Sequence, residues 1–290
     1  MNLKYLHLNV FASTLMSGNG LIVFYDYPSQ LKSEIMLKLT QEMRQFESIF
    51  LQRITDDTFT ARIFTKDEEL NFAGHPILGA GVALHYINGA SIQIRQWKFQ
   101  LEQREILVDT HINKNGYHAA MNQGKPQFIH TITAAERKTI LDSLNLTSDD
   151  LFPGLPLEVV STGLPHLIIP LAKGIERAKI LNEKFECLLE SVAAKFVYVL
   201  DIATQEGRTW DNAGTVEDIA TGSAAGPAAA YLYKHKLVSN EKEIIVHQGR
   251  FANRPSKIKV EIKDTSENIS SVFVSGNAAV FALGEVFLPE

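Results

Sequence analysis

The stretch ELNFAGHPILGAGVAL, residues Glu69–Leu84, decides the fold because it has a partial copy later in the chain. The copy is EDIATGSAAGPAAAYL, residues Glu217–Leu232, in which four identical residues fall at one constant offset of 148 positions. Each copy has a glutamate, then a glycine with a polar residue, then a run of small and apolar residues that predicts a helix. Because the offset is close to half of the 290-residue length, the sequence indicates two related halves, each with a helix N-terminus.

The two predicted helices contain no Lys, Arg, Asp or Glu over Gly74–Leu84 and Gly222–Tyr231. A helix that is apolar all round is usually buried, so we expect both to be buried on most sides. The N-terminus of a helix carries unpaired backbone N–H groups and the positive end of the helix dipole. A cleft between two such termini is therefore expected to bind an anionic group.

Composition and charge limit the possible classes of protein. The chain is 45% hydrophobic and 21% charged, as in an ordinary soluble globular protein, and its length suits two domains. A net charge of −5 without a dense Lys/Arg run argues against a nucleic-acid partner. No apolar run approaches the roughly 20 residues of a membrane span, and Met1–Leu8 alternates like a strand rather than a secretion signal. The single cysteine excludes an intrachain disulfide and favours a cytoplasmic location.

Short runs that alternate or are rich in β-branched residues predict many strands around the two helices. The last two of these runs, Asn268–Ser275 and Ala278–Leu288, predict separate strands. A longer pattern over Lys179–Ala194 predicts a helix, on which Cys187 has apolar neighbours and is expected in the core. The turn-forming segment Gly124-Lys125-Pro126 marks the predicted joint between the two halves.

Short motifs distributed over nearly the whole chain carry a resemblance to a known family. They are Val10-Phe11-Ala12, Gly18-Asn19, Glu47-Ser48-Ile49-Phe50, Arg62-Ile63-Phe64, Leu70–Pro76, Ser161–His166, Glu217–Ala224, Gln248-Gly249, Arg254-Pro255-Ser256 and Ser275-Gly276. In this order they resemble the phenazine-biosynthesis PhzF-like family, whose fold is similar to that of diaminopimelate epimerase. The blocks around Gly74 and Gly222 are highly specific when they occur together. Departures at Gly20, Asn71 and Trp210 bear on the substrate more than on the chemistry.

The resemblance implies an α+β fold of two similar domains, each a mostly antiparallel curled sheet around a central helix, with the active site between them. The first domain would span residues 1–123, with the C-terminal strand 278–290 returning to it, and the second residues 124–277. Members of the family use no cofactor and are usually homodimers, and their best-known reaction is the isomerisation of trans-2,3-dihydro-3-hydroxyanthranilate. We therefore expect a cofactor-independent isomerase that moves a proton on a small carboxylate-bearing substrate.

The resemblance also implies roles for individual residues. Glu47 is the expected proton-shuttling acid/base, and its apolar neighbours favour a raised pKa that lets this carboxyl give and take a proton. His75 and Asp218 complete the expected catalytic set. The expected substrate-binding residues are Asn19, Gly74, Gly222 and Ser223. Judged by sequence position alone, Glu47 can instead be a solvated residue at a strand end, His75 a packing residue, and Asp218 and Ser223 helix caps.

Two missing residues argue against a related mechanism. Amino-acid epimerases of this fold use two cysteines as opposed acid and base, and the corresponding residues here are Ala73 and Thr221. Alanine does not titrate and a threonine hydroxyl is a poor base, so a two-thiol mechanism is not expected. An amino-acid epimerase and a non-catalytic binding protein remain the alternative functions. The histidines lack metal-ligand spacing, and no phosphate-binding loop or dinucleotide fingerprint is present, so no metal site or cofactor is predicted.

Four further polar residues have an open interpretation. Arg62, Arg208 and Arg254 can bind a substrate carboxylate or form ion pairs, and we favour the structural role for all three. His166 follows the turn Gly163-Leu164-Pro165, a position equally compatible with a place at the active site and with a structural role.

Overall fold

The chain is divided into two units. The computed structural model describes residues 2–27, 31–89, 93–239, 243–265 and 268–288. The first unit consists of Met1–Asn122 and Ser275–Glu290, and the second of Gln123–Val274. The chain therefore leaves the first unit once and returns to it for the C-terminal segment.

Most neighbouring strands of the first unit alternate between antiparallel and parallel pairing. The elements are β1 (Asn2–Val10), β2 (Asn19–Tyr25), α1 (Ser33–Met43), β3 (Glu47–Arg53), β4 (Thr58–Thr65), β5 (Glu69–Leu70), α2 (Gly74–Ile87), β6 (Ile94–Gln100), β7 (Glu105–Asn113) and β8 (Gly116–Gly124). The pairs β1–β2, β3–β4 and β6–β7 are antiparallel, whereas β2–β3 and β4–β6 are parallel.

The second unit has the same alternation in its own strands. The elements are β9 (Gln127–Thr131), α3 (Ala134–Ser143), β10 (Glu158–Ser161), β11 (Pro165–Leu171), α4 (Phe185–Ser191), β12 (Phe196–Asp201), β13 (Glu206–Arg208), α5 (Gly222–Lys234), β14 (Ile244–Gln248), β15 (Ser256–Thr265) and the long β16 (Asn268–Phe287), which belongs to the first unit from Ser275 onward. The pairs β10–β11, β12–β13 and β14–β15 are antiparallel, and β11–β12 and β13–β14 are parallel.

One buried helix occupies the centre of each unit. Helix α2 packs against β1, β2, β3, β6 and β7, and α5 packs against β10, β11, β12, β14 and β15. Every residue from Gly74 to His85 and from Gly222 to Leu232 is buried, so the predicted burial of both helices is confirmed. Within the described part of the chain, no helix has the length and apolar character that a membrane crossing requires.

Small residues let the strands approach these helices closely. A Cβ atom added to Gly79 in α2 would overlap the Leu21 side chain and lie 2.9 Å from Val10 Cγ2. A Cβ on Gly226 in α5 would overlap the side-chain oxygen of Gln123. The small-residue composition is therefore a packing requirement of each central helix.

The helix predicted over Lys179–Ala194 is wrong over much of its length, because only α4 is helical. The backbone N–H groups of Lys179 and Leu181 donate to the carbonyls of Leu144 and Ser143 at 3.1 and 2.8 Å, so this part of the chain runs along the end of α3. The core position predicted for Cys187 is also wrong, since this residue is exposed. Helix α4 buries Phe185 and Leu189, and Cys187 lies between them on the outer side of a helix of only seven residues.

The two strands predicted at the C-terminus form one continuous strand, β16. Its part from Ala278 to Phe287 pairs antiparallel with β1. The segment Gly276-Asn277 stays extended because the Asn277 carbonyl accepts a hydrogen bond from Ala12 N at 3.1 Å, and its side-chain oxygen lies 2.8 Å from His118 Nδ1. The last two residues of the predicted 278–290 strand lie outside the described residues.

Candidate active site

Glu47 and His75 form a buried pair in the first unit. Glu47 is the first residue of β3, where its strand neighbours are Leu21 on β2 and Thr65 on β4. His75 is the second residue of α2, and its Nδ1 atom lies 2.9 Å from Glu47 Oε2. The side chains are only 3% exposed for His75 and 7% for Glu47. The alternative of a solvated glutamate is therefore wrong.

The pair can hold a proton in either of two places. An ionised carboxylate only accepts hydrogen bonds, so His75 Nδ1–H donates to Glu47 in that state. When Glu47 is protonated, its O–H can donate to a neutral Nδ1 atom instead. A buried setting strengthens either hydrogen bond relative to water. This exchange between donor and acceptor is the property that a general acid/base requires.

Asn19 and Gly74 are further neighbours of His75 among the predicted site residues. Asn19 is the first residue of β2, is 1% exposed, and places its Nδ2 atom 3.4 Å from His75 Nδ1. Gly74 is the first residue of α2, and the N-cap residue before it, Ala73, has no side-chain oxygen to accept a hydrogen bond from the first turn. The start of α2 thus combines the acid/base pair with an uncapped helix N-terminus.

The second unit has its own polar cluster at the start of α5. Asp218 and Ser223 are buried, at 5% and 7% exposure, and Gly222 is the first residue of the helix. Thr221 occupies the N-cap position, so neither Asp218 nor Ser223 is the N-cap residue of α5. Thr221 Oγ1 donates a hydrogen bond of 2.5 Å to Asp218 Oδ2.

Gln248, at the end of β14, connects this cluster to the interior. Its Nε2 atom donates to the carbonyl of Asp218 at 2.7 Å and to Thr221 Oγ1 at 2.9 Å. Its Oε1 atom accepts from Thr221 N and from the hydroxyl of Tyr198, both at 3.1 Å. Burial, with smaller contributions from Asp218 and Glu206, raises the pKa of Tyr198 well above its usual range. Tyr198 therefore stays a hydrogen-bond donor.

Two of the three arginines have the structural role that we favoured. Arg62 forms an ion pair with Glu69 at 2.6 Å, and Arg208 forms one with Glu217 at 2.7 Å. His166 is fully buried on β11, and its Nδ1 atom lies 3.0 Å from the carbonyl oxygen of Leu164. Burial lowers the pKa of His166 to about 4, against a smaller effect of the hydrogen bond to Leu164. The ring centroid of His166 lies 5.8 Å from that of Phe196, so the imidazole packs in the interior of the second unit.

The structure brings the sequence-predicted residues together in two groups. Those of the first unit are Asn19, Glu47, Gly74 and His75, and those of the second are Asp218, Gly222 and Ser223. Sequence reasoning did not identify Thr221 and Gln248 as the residues that hold Asp218. The sequence signal for Thr221 is its spacing, because a hydroxyl three residues after a carboxylate and directly before a helix can reach that carboxylate.

Known proteins resemble this chain in both sequence and fold. Residues 8–284 match the sequence model of the family described as phenazine biosynthesis-like protein, PhzC-PhzF. The chain is 32% identical to trans-2,3-dihydro-3-hydroxyanthranilate isomerase of Pseudomonas aeruginosa, over 98% of this chain and 99% of that one. A solved structure from Pseudomonas aeruginosa, described as a predicted epimerase, is 41% identical with a TM-score of 0.92, covering 99% of this chain and all of the other.

A more distant neighbour bears on the fold alone. A hydroxyproline epimerase from Agrobacterium vitis, solved with trans-4-hydroxy-L-proline, has a TM-score of 0.67 at 10% identity, covering 98% of this chain and 92% of that one. These likenesses confirm the predicted α+β fold. The 32%-identical relative is named an isomerase and the 41%-identical structure is described as a predicted epimerase, which confirms the predicted enzyme class.

Proposed function

This chain belongs to the phenazine biosynthesis-like PhzC-PhzF family, and we propose that it catalyses a cofactor-independent proton transfer on a small, carboxylate-bearing substrate. The observation that carries the proposal is the buried contact of 2.9 Å between Glu47 Oε2 and His75 Nδ1. Glu47 takes a proton from an activated carbon, so that a C–H bond breaks and an O–H bond forms. The protonated Glu47, whose O–H can exchange with solvent, then delivers a proton to a different carbon and is ionised again. His75 donates to Glu47 whenever its carboxylate is charged.

The proposed substrate is of the type named for the relative from Pseudomonas aeruginosa, trans-2,3-dihydro-3-hydroxyanthranilate. Its name specifies a carboxylate, an amine and a hydroxyl group. In the first unit, the uncapped start of α2 at Gly74 suits an anionic group, and Asn19 supplies an amide. In the second unit, Asp218 suits an amine or hydroxyl donor, and Ser223 and the first N–H groups of α5 at Gly222 suit an acceptor.

The first test follows this substrate in heavy water by absorbance and NMR, with the wild-type protein and the variant Glu47→Gln. We expect conversion with deuterium incorporation for the wild type and a loss of at least about 100-fold in the variant. The variant keeps the size of the side chain but removes its titrating oxygen. The variant Glu68→Gln, in an exposed turn, is a control that should react like the wild type. Conversion that persists in Glu47→Gln would remove Glu47 from the mechanism.

An epimerase is the second candidate, and it is favoured by the 41%-identical structure described as a predicted epimerase. An epimerase would exchange the α-proton of a free amino acid in heavy water, whereas the proposed isomerase would not. Exchange into an amino acid without conversion of the dihydroanthranilate would replace the first proposal with this one. Binding of either compound without exchange or conversion would indicate a non-catalytic binding protein.

We also propose that the protein is a cytoplasmic homodimer. The support for a dimer is a group of exposed apolar side chains near the end of β16, where Phe281, Leu283 and Phe287 are 47%, 58% and 73% exposed. Leu283 and Phe287 lie an even number of residues apart and therefore share one face, which also carries the exposed Glu285 between them. Sedimentation of the wild type as a dimer, and of Leu283→Arg as a monomer, is expected. A monomeric wild type would contradict the proposal. The support for the cytoplasm is the single cysteine, which cannot form an intrachain disulfide.

A further inference from the structure

A directed chain of hydrogen bonds in the second unit ends on the carboxylate of Asp218. It starts at the hydroxyl of Tyr198, passes through the amide of Gln248 and continues through the hydroxyl of Thr221. Its direction can be worked out group by group, because several members can only donate or only accept. All of these residues belong to the second unit.

The orientation of the Gln248 amide is determined by two backbone groups. The carbonyl of Asp218 can only accept, so the side-chain atom 2.7 Å from it is the nitrogen, Nε2. The backbone N–H of Thr221 can only donate, so the atom 3.1 Å from it is the oxygen, Oε1. A flipped amide would place two donors together at one end and two acceptors at the other. The amide of Gln248 therefore has one allowed orientation.

The orientation of Gln248 decides the direction of the Thr221 hydroxyl. The Nε2 atom donates its second hydrogen to Thr221 Oγ1 at 2.9 Å, so that oxygen is an acceptor in this contact. The hydroxyl proton of Thr221 is then directed to Asp218 Oδ2, at 2.5 Å. A donor directed at a carboxyl oxygen stabilises the ionised form of that carboxyl.

The position of Thr221 makes this use of its hydroxyl unusual. A threonine at the N-cap normally accepts a hydrogen bond from a backbone N–H in the first turn of its helix. Thr221 is the N-cap residue of α5. Within the described part of the chain, however, its side chain makes no such capping hydrogen bond. The Thr221 hydroxyl therefore donates to Asp218 and does not cap the helix that Thr221 begins.

We infer that Thr221 and Gln248 are positioning residues that hold the Asp218 carboxylate ionised and in one orientation for substrate binding. The inference rests on the proposed function, because it takes Asp218 as the group that receives a substrate donor. Thr221 does not itself exchange a proton with the substrate. Its hydroxyl donates to Asp218 and accepts from Gln248.

The test is a double-substitution cycle between Thr221 and Asp218, measured with trans-2,3-dihydro-3-hydroxyanthranilate. Thr221→Val keeps the shape of the side chain but removes the hydroxyl, and we expect KM to rise about tenfold or more, with a smaller change in kcat. Thr221→Ser, which retains a hydroxyl, should recover most of this loss. In the Asp218→Ala background, which has no side-chain acceptor for the Thr221 hydroxyl, Thr221→Val should have a much smaller effect on KM. The same change at the exposed Thr139 of α3 is the control, with unchanged kinetics.

A second readout does not depend on turnover. The urea midpoint of unfolding should fall in Thr221→Val and in Asp218→Ala, and the loss in the double variant should be smaller than the sum of the two single losses, because both changes remove the same hydrogen bond. Fully additive losses in unfolding would show that the hydrogen bond is absent and would overturn the inference. Wild-type kinetics in Thr221→Val, or an undiminished effect of Thr221→Val in the Asp218→Ala background, would overturn it as well. Coupled unfolding losses in a protein without any turnover would instead contradict the proposed function and leave the hydrogen-bond chain in place.

Discussion

Arg208 binds the carboxylate of Glu217 through two parallel hydrogen bonds, from Nε to Oε1 at 2.9 Å and from Nη2 to Oε2 at 2.7 Å. The first unit repeats this arrangement, where Arg62 donates to Glu69 at 2.7 and 2.6 Å. These two glutamates are the first residues of the repeated stretches, each five positions before the glycine that begins a central helix. Each arginine therefore fixes the segment that enters a central helix.

The two ion pairs differ in burial, and this difference predicts different energies. The side chains of Arg208 and Glu217 are 8% and 15% exposed, whereas those of Arg62 and Glu69 are 35% and 39% exposed. Arg208 Nη1 also donates to three backbone carbonyls, those of Ile175, Glu176 and Ala178. Removal of one partner from a buried pair leaves an uncompensated charge, which an exposed pair does not.

We expect Glu217→Ala to lower the free energy of unfolding by about 3–5 kcal/mol and Glu69→Ala by at most about 1 kcal/mol. The two variants remove the same side chain from the same motif, so each is the matched control of the other. Urea unfolding followed by circular dichroism measures both. Equal losses would show that burial does not set the energy of these pairs.

The burial of His166 predicts that the free energy of unfolding depends on pH. In the unfolded chain a histidine has a pKa of about 6.5, and burial lowers the pKa of His166 to about 4 in the folded protein. Between these values the unfolded state binds a proton that the folded state does not bind. The contribution of His166 is therefore complete above pH 6.5 and decreases as the pH falls, by up to about 1.4 kcal/mol per pH unit.

The measurement is the free energy of unfolding of the wild type and of His166→Gln between pH 7 and pH 4. The variant starts lower at pH 7, because the buried ring is lost, but its decrease toward pH 4 should be smaller by about 3 kcal/mol. Parallel curves for the two proteins would show that folding does not lower the pKa of His166.

The packing around Gly79 in α2 leaves no room for a larger side chain at this position. Alanine is the better helix former by about 1 kcal/mol, so Gly79→Ala would stabilise an isolated helix. In this protein the added Cβ would overlap the Leu21 side chain, and overpacking of a core costs about 1–3 kcal/mol. We expect a net loss of stability and a lower melting temperature. Gly81→Ala, whose Cβ would lie 2.8 Å from Val108 Cγ1, should lose less. A melting temperature above that of the wild type would contradict the packing argument.

The fold could be predicted from the sequence where local pattern and family resemblance agreed. The uncharged small-residue runs of α2 and α5 predicted their burial, because such runs have no residue that favours solvent. The helix predicted over Lys179–Ala194 failed because hydrogen bonds to Leu144 and Ser143, distant in sequence, replace those within a helix. Periodicity contains no information about such tertiary competition. The domain limits at residues 123 and 277 and the relation between the halves stay predictions.

The site could be predicted only in part, for a similar reason. The candidate residues Glu47 and His75 came from the family resemblance, and nothing in the 27 intervening residues indicates that their side chains meet at 2.9 Å. The contact requires the first residue of β3 to lie beside the start of α2. The partners of Asp218 escaped prediction because Gln248 is 30 positions away, on β14. Hydrogen bonds between distant residues depend on the register of the strands that carry them.

Cys187 offers a direct test of the packing of α4. The residue is exposed, whereas Phe185 and Leu189 on either side of it are buried. Because it is the only cysteine in the chain, a thiol reagent such as dithionitrobenzoate should modify one group per chain in the native protein. The rate should be close to that of the urea-unfolded protein, within about tenfold, since an exposed thiol needs no local opening. Cys187→Ser should show no reaction and an unchanged melting temperature. Modification that occurs only in urea would place Cys187 in the core and would require a different rotation of α4.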